Sequence, residues 1–467
     1  MKSLGDIKNK RMSGTTVILG AGLAGLSAGH HLKGRGPLLI LEEKPHAGGH
    51  VFSRVRDGFT WDEGPHVSFT RSEYVRSLFA RNADEEVLEY PVVAGNWFGG
   101  AWVEHPAQCF LHQIAEPLRS RALESFLQRR QACREDRPPG NYEEWLREAF
   151  GDVFAEHFPL VYTEKYWTVP ARELGTDWIG KRVYYPKQED VVAGSRGPLP
   201  EKKHYITKVR YPRRGGYWSF ARRMADGLEI RHGARVARVD LRDRRVVCAD
   251  GQQFSYRRLV NTLPLPDFLQ ACGPLPPAVE EARRALSCSR LLLVNVAAPH
   301  PTRRPENWIY VYDREMASTR INCTEKLSPH NAPEGTTGVQ VEVYDSRHRP
   351  AEASDAAMGE KVLAEVRAMG LIDREAKATF HTHRVEWANV IFHHATRGAL
   401  GTLWGWLEEH GLTRSPQDTD PMTDWERAER EGPGRAGTLE MAGRFAEWKY
   451  HWTDDCVLRG RQIGEAK

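Results

Sequence analysis

Thr15-Thr16-Val17-Ile18-Leu19-Gly20-Ala21-Gly22-Leu23-Ala24-Gly25-Leu26 is the stretch that decides the fold. Thr15–Leu19 reads as a short buried strand, and Leu23–Lys33 as a helix with small residues along one side. Gly20, Gly22 and Gly25 form a G-x-G-x-x-G at the junction. The first permits the tight turn, the second lets a phosphate approach the backbone, and the third lets helix and strand pack closely. The helix start, at Leu23 and Ala24, then presents free N–H groups and a partial positive charge to a diphosphate.

The next strand is expected at Pro37–Leu41 and ends in Glu42-Glu43, where the Glu42 carboxylate is placed for ribose hydroxyls. Gly48-Gly49-His50 and Ser53 add a G-G-x-x-x-S, a second backbone clamp on phosphates that fits FAD better than NAD. These features predict an α/β protein with FAD bound non-covalently at its N-terminal βαβ unit.

At 467 residues, with 40% hydrophobic and 27% charged content, the chain has room for two or three domains, or for one nucleotide domain with large insertions. The net charge of +4 permits anionic ligands without calling for nucleic acid. Seven scattered cysteines with no C-x-x-C pair suit reduced thiols in a cytoplasmic protein. The early apolar run is interrupted by glycines and does not read as a secretion signal. No stretch reaches the roughly 20 apolar residues a membrane span needs.

Residues 76–210 read as mainly helical from about Tyr74 to Gly180, with amphipathic pieces at Arg119–Arg134 and Tyr142–Phe150 and a Pro/Gly/charge-rich connector at Val183–Lys208. A helix is expected at Trp218–Ala225, and strands at Ala234–Asp240, Arg245–Ala249 and Arg258–Asn261. Leu291–Ala298, Trp308–Asp313 and Gly338–Tyr344 alternate like strands of a second sheet; Ala357–Met369 is helical and Ser415–Ala436 a loop. The expected architecture is a glutathione-reductase-type FAD domain assembled from segments 1–75, 211–270 and 437–467, with a helical insertion at 76–210 and a second mixed or antiparallel sheet within 271–436. Near the end, Gly443-Arg444-Phe445 precedes Asp454-Asp455 and an expected helix Cys456–Gln462, whose N-terminus suits the flavin O2 edge. His381 and His383 lack a convincing third ligand, and an exposed strand explains them better than a metal.

Gly58-Phe59-Thr60-Trp61-Asp62-Glu63-Gly64-Pro65-His66-Val67-Ser68-Phe69 resembles a segment of the UDP-galactopyranose mutases, the eukaryotic-type branch above all. Asn141-Tyr142-Glu143-Glu144-Trp145, Lys165-Tyr166-Trp167-Thr168-Val169-Pro170 and Trp178-Ile179-Gly180-Lys181-Arg182-Val183 continue the likeness in order. So do Trp308-Ile309-Tyr310 with Arg320, Arg444-Phe445 and Trp448-Lys449-Tyr450. The wider superfamily includes amine oxidases and protoporphyrinogen oxidases. The resemblance implies a redox-neutral isomerase in which N5 of reduced flavin attacks the anomeric carbon of a nucleoside-diphosphate sugar, UDP- or dTDP-linked, while pyranose and furanose rings interconvert. It implies a separate electron donor for the flavin. Arg182 and Arg320 then take the positions of the phosphate- and sugar-binding arginines, Tyr310 and Tyr450 those of hydroxyl donors, and Trp167 and Phe69 those of aromatic contacts near the base. Gln108 corresponds to a glutamine there, His66 to the histidine beside the flavin, and Val236 to the strand that touches adenine.

The chain also departs from the family pattern. Asn389 replaces a pyrophosphate tyrosine, Thr163 an asparagine, His105 a tyrosine, and Val92 the arginine that contacts NADPH. These changes fall in the nucleotide and reductant pockets and leave the FAD frame intact. The competing reading of the same frame is an oxidoreductase of the amine oxidase or protoporphyrinogen oxidase type, acting on a more apolar substrate.

Overall fold

Residues 14–132, 138–180, 183–199, 206, 208–414 and 436–466 are described by the computed structural model. Thr16–Leu19 is buried along its whole length, as an unbroken Thr-Val-Ile-Leu run requires, and lies at the centre of a parallel sheet. The order is Leu439–Met441, Arg258–Asn261, Thr16–Leu19, Leu38–Leu41, Ile230–Arg231, so one sheet gathers strands from widely separated parts of the chain. Helix Leu23–Leu32 follows the first strand and packs against the terminal helix Thr453–Glu465. The contact is close because Gly460 and Gly464 face Ser27 and His31.

A seven-stranded sheet forms the other half, ordered Thr379–Ile391, Ser287–Ala298, Thr337–Asp345, Arg320–Cys323, Trp308–Val311, Ala94–Phe98, Ala101–Glu104. All its pairs are antiparallel except that of Trp308–Val311 with Ala94–Phe98. Its register aligns Asn96, Tyr310, Arg320, Glu342, Leu293 and His383 as successive cross-strand partners. Partners share a face, so the six side chains form one row across the sheet. Helices Leu118–Ala132, Tyr142–Phe150, Asp152–His157 and Pro159–Trp167 cover the region beside it. Among the described residues no helix is long and apolar enough to cross a membrane.

The structure corrects several element boundaries. Within the region read as helical, Val87–Pro91 pairs with Lys208–Pro212, and the hairpin Ala94–Phe98/Ala101–Glu104 extends the second sheet. The hairpin turns through Gly99 and Gly100, both at positive φ. The Val183–Lys208 connector contains a helix, Gln188–Arg196, whose Gly194 abuts the Cys109 carbonyl. Two 3-10 turns, Tyr217–Phe220 and Arg222–Ala225, replace the expected helix from Trp218. The terminal helix begins at Thr453, so Asp454 and Asp455 form its first turn and do not precede it. The Ser415–Ala436 loop lies outside the described residues except for Ala436.

Candidate flavin and substrate site

The diphosphate cradle is built by backbone contact. A Cβ on Gly25 would sit 2.1 Å from the carbonyl oxygen of Gly20, and one on Gly49 would sit 2.9 Å from Cα of Gly22. The Gly48 N–H donates to the Ala21 carbonyl at 2.8 Å, joining the two glycine segments. Leu23 and Ala24 open the helix above them. This glycine-lined surface admits a close-lying diphosphate, so the residues present fit FAD.

The flanking residues do more than the sequence indicated. Glu42 accepts the N–H groups of Ala21 (2.6 Å) and Lys44 (2.8 Å), so its carboxylate also braces the turn. Glu43 is exposed, and Val236 is half-buried at the start of Val236–Asp240. The Ser53 hydroxyl donates to Asp62 at 2.5 Å and accepts the Trp218 N–H at 3.0 Å; it fastens the loop through its side chain. Asp62 also accepts from the Tyr211 hydroxyl (2.6 Å) and the Tyr217 N–H (3.0 Å). Burial pushes its carboxyl up to about 6 even so. At the terminal helix, Asp455 accepts the Trp452 N–H at 2.7 Å, while half-buried Cys456 uses its own N–H on the Trp452 carbonyl.

His66 lies on the loop after Asp62, with Nδ1–H donating to the Gly64 carbonyl at 3.0 Å. Burial, reinforced by the charges of His50, Arg444 and Arg320, pushes it down to about 3, so the imidazole is neutral. Glu342, in the row across the second sheet, stands 3.3 Å from where a Gly64 Cβ would lie. Arg320 donates from Nε (2.6 Å) and Nη2 (2.8 Å) to Glu342, and the Tyr344 hydroxyl donates to the same carboxylate at 2.9 Å. Arg320, expected at a phosphate- or sugar-binding position, thus has its Nε–Nη2 edge held by an internal carboxylate. Direct cross-strand register occupies one edge and leaves Nη1 for a ligand.

Tyr310 stacks on His105 with centroids 4.9 Å apart and accepts the Trp308 indole N–H at 3.1 Å. Tyr162 touches Tyr310 edge-on and stacks on Tyr166, each pair 5.5 Å apart, linking the row to a second group. There the Tyr166 hydroxyl donates to Asn389 at 2.8 Å and lies 3.2 Å from the Tyr450 hydroxyl. The Arg444 guanidinium lies over the Tyr450 ring at 4.9 Å and reaches Asn389 at 3.5 Å. Arg444, expected on the cofactor, thus stands in the group of Tyr166, Tyr450 and Asn389. Burial raises Tyr162, Tyr166 and Tyr344 well above the usual phenol range, which keeps them neutral. Buried Lys165 donates to the Val311 and Asp313 carbonyls, tying helix Pro159–Trp167 to the end of the strand that carries Tyr310.

Trp167 is buried against Trp178 and Tyr142 and borders the tyrosine group, meeting Tyr166 edge-on at 4.6 Å and Tyr450 at 6.3 Å; its indole N–H is unpartnered. Phe69 meets Trp452 edge-on at 4.7 Å, and Gln108 is buried in the turn Ala107–Cys109. Arg182 lies outside the described residues. His381 and His383 are half-buried and not exposed; His381 lies 3.2 Å from the Asn295 amide and His383 lies 3.3 Å from Glu63. Tyr162, Tyr166, Glu342, Tyr344 and Glu63 were missed from the sequence. The i,i+4 spacing of Tyr162 and Tyr166, and the i,i+2 spacing of Glu342 and Tyr344, are the signals available for four of them.

Residues 23–422 match the family model of flavin containing amine oxidoreductases. The chain belongs to that family. Its cofactor is FAD, and it is an enzyme of the flavin oxidoreductase family. This flavin oxidoreductase-family chain shares its fold with several solved proteins. A reduced UDP-galactopyranose mutase superposes with a TM-score of 0.84 at 21% identity, covering 96% of this chain and 93% of the other. A protein assigned as a protoporphyrinogen oxidase from an Exiguobacterium species gives 0.70 at 17% identity, covering 97% and 98%. Putrescine oxidase bound to putrescine gives 0.62 at 15%, covering 97% and 98%.

Proposed function

We propose that this protein is an FAD-dependent isomerase that interconverts pyranose and furanose forms of a nucleoside-diphosphate sugar, UDP- or dTDP-linked. One observation carries the reading. Arg320 and Arg444 stand among the hydroxyls of Tyr166, Tyr310, Tyr344 and Tyr450 and the amide of Asn389, in the field that acts on His66. A diphosphate rewards fixed cations and hydroxyl donors in a dry site, where they act far more strongly than in water. An apolar substrate needs neither. FAD, when bound and reduced, supplies N5 as nucleophile toward the anomeric carbon. The chain itself positions the leaving diphosphate. Arg320, held rigid by Glu342, presents Nη1, and Tyr166, Tyr310 and Tyr450 place hydroxyls around it. Arg182 is proposed as the second phosphate ligand. The same proposal includes a cytoplasmic location, in keeping with six free cysteines among the described residues, and a separate reductant.

A second reading rests on Glu342. A carboxylate 2% exposed, beside the loop that carries His66, suits the ammonium of an amine, which is the substrate class bound by the putrescine oxidase neighbour. One experiment separates the two. Holoenzyme, oxidised or reduced with dithionite, is incubated with a panel of UDP- and dTDP-hexoses, and products are sorted by ring size. Ring isomers should form only with reduced enzyme, and Arg320→Ala should cut kcat/KM by about a hundredfold or more while the protein stays yellow. Bleaching of the oxidised enzyme by an amine, with oxygen uptake, would refute the isomerase.

A further inference from the structure

Glu63 has no place in the chemistry above, yet it is the most heavily engaged carboxylate near the cradle. Its residue is 4% exposed. Oε1 accepts from Arg54 Nη1 at 2.8 Å and faces His383 Nε2 at 3.3 Å and Lys44 Nζ at 3.6 Å. Burial opposes its charge, but His383, His50 and Lys44 outweigh that and hold the group well below the usual carboxylate range. Oε2 differs. It is buried without a hydrogen-bond partner, and the atom facing it is Nδ1 of His50, 3.4 Å away. A charged oxygen left unpaired in the interior is costly, so its orientation calls for a donor.

His50 follows directly on Gly48-Gly49, the second wall of the diphosphate cradle. Its side chain is 40% exposed, and its Nε2 makes no hydrogen bond to any described residue. One nitrogen thus faces a buried anion, while the other is free beside a surface shaped for a second anion. We propose that Glu63 is a positioning residue for the cofactor: it takes the Nδ1–H of His50 on Oε2, fixing the ring so that Nε2–H donates to the FAD diphosphate. The two ring nitrogens point to opposite sides, so the one imidazole can join the buried carboxylate to the cradle. Arg54 and Lys44 neutralise Glu63 from its other oxygen, so the carboxylate does not repel the phosphates. The relation copies that of a carboxylate behind a metal-bound histidine, where removing the outer partner costs about 10–100-fold in affinity.

The test is a double-mutant cycle on holoenzyme, read as the rate at which FAD fluorescence appears after dilution. Glu63→Gln and His50→Gln should each speed release about tenfold, and the double variant no more than either alone, because the two residues act as one unit. If Glu63→Gln releases FAD at the wild-type rate, the assignment is wrong. If the two effects multiply, Glu63 is an ion-pair hub joining three segments and nothing more. Should Glu63→Gln fail to fold, Glu63→Asp keeps the charge but withdraws Oε2 from His50, and the same cycle with that variant decides by the same criteria. Colourless wild-type protein would be a different failure, that of the FAD assignment itself.

Discussion

A methyl group at position 25 would lie 2.1 Å from the Gly20 carbonyl oxygen, a separation no Cβ tolerates. Backbone on both sides of the junction must give way, because the obstacle is not a flexible side chain. Gly25→Ala should therefore purify with little or no bound FAD, and a flavin-to-protein absorbance ratio equal to wild type would contradict the packing role assigned to this glycine. Gly25 was fully legible in the sequence, because a small set of backbone contacts dictates its spacing from Gly20 and Gly22. Arg320 was legible only as a position. Its partner Glu342 lies 22 residues further on, and cross-strand register, which no local pattern encodes, brings them together. His50 was read with the second glycine clamp and Glu63 lay within the Gly58–Phe69 tract, but the free Oε2 between them is a tertiary fact.

Glycine has opposite meanings in two helices. In Thr453–Glu465, a Cβ on Gly460 would meet Cβ of Ser27 at 2.5 Å, and one on Gly464 would meet Cβ of His31 at 2.2 Å. The glycines let this helix seat against Leu23–Leu32, whose first turn forms the cradle. Gly464→Ala should separate the two helices and destabilise the protein by about 1–3 kcal/mol of overpacking. Higher helix propensity recovers up to about 1 kcal/mol of that. In Thr396–Glu409, by contrast, a methyl group on Gly405 would meet no heavy atom of the described residues within 4 Å, and the glycine's φ is helical. Gly405→Ala should be neutral or stabilising by up to about 1 kcal/mol. Chemical denaturation of both variants checks the pair; equal effects would mean that helix propensity, and not the helix contact, sets them. Elements with β-branched runs, such as Thr16–Leu19, were legible from composition. Ala94–Phe98 and Ala101–Glu104 were not, because Ala-Gly-Asn-Trp-Phe and Ala-Trp-Val-Glu are too short and mixed to show a period of two. The start of the terminal helix was misplaced because Asp454 and Asp455 suit both a cap and a first turn.

Across the whole molecule, the order of motifs disclosed an FAD frame, while the seven-stranded sheet was visible only as three of its strands; its order depends on contacts between residues 94 and 391. Half-buried histidines on both halves make stability depend on pH. His31 uses both ring nitrogens in its neutral form, Nδ1–H donating to the Ser27 carbonyl at 2.6 Å and Nε2 accepting from the Tyr74 hydroxyl at 2.5 Å. Burial pushes it down to about 4, His381 likewise to about 4, and His66 to about 3. Between the ordinary histidine value near 6.5 and these lowered values, the unfolded chain binds protons that the folded chain refuses, so stability falls as pH falls. Asp62 acts in the opposite sense. Its carboxyl, raised to about 6, takes up a proton in the folded state first, so its contribution improves as pH falls from 6 toward 4. Three histidines outweigh one aspartate, and the thermal midpoint should drop steadily from pH 6.5 to pH 4. His31→Gln keeps one donor and one acceptor at that site but cannot titrate. It should flatten the decline by roughly 2–3 kcal/mol of unfolding free energy across the window, with little change above pH 7. A His31→Gln profile parallel to that of the wild type would show that the histidine opens to water before it titrates, and that the pH response arises elsewhere in the fold.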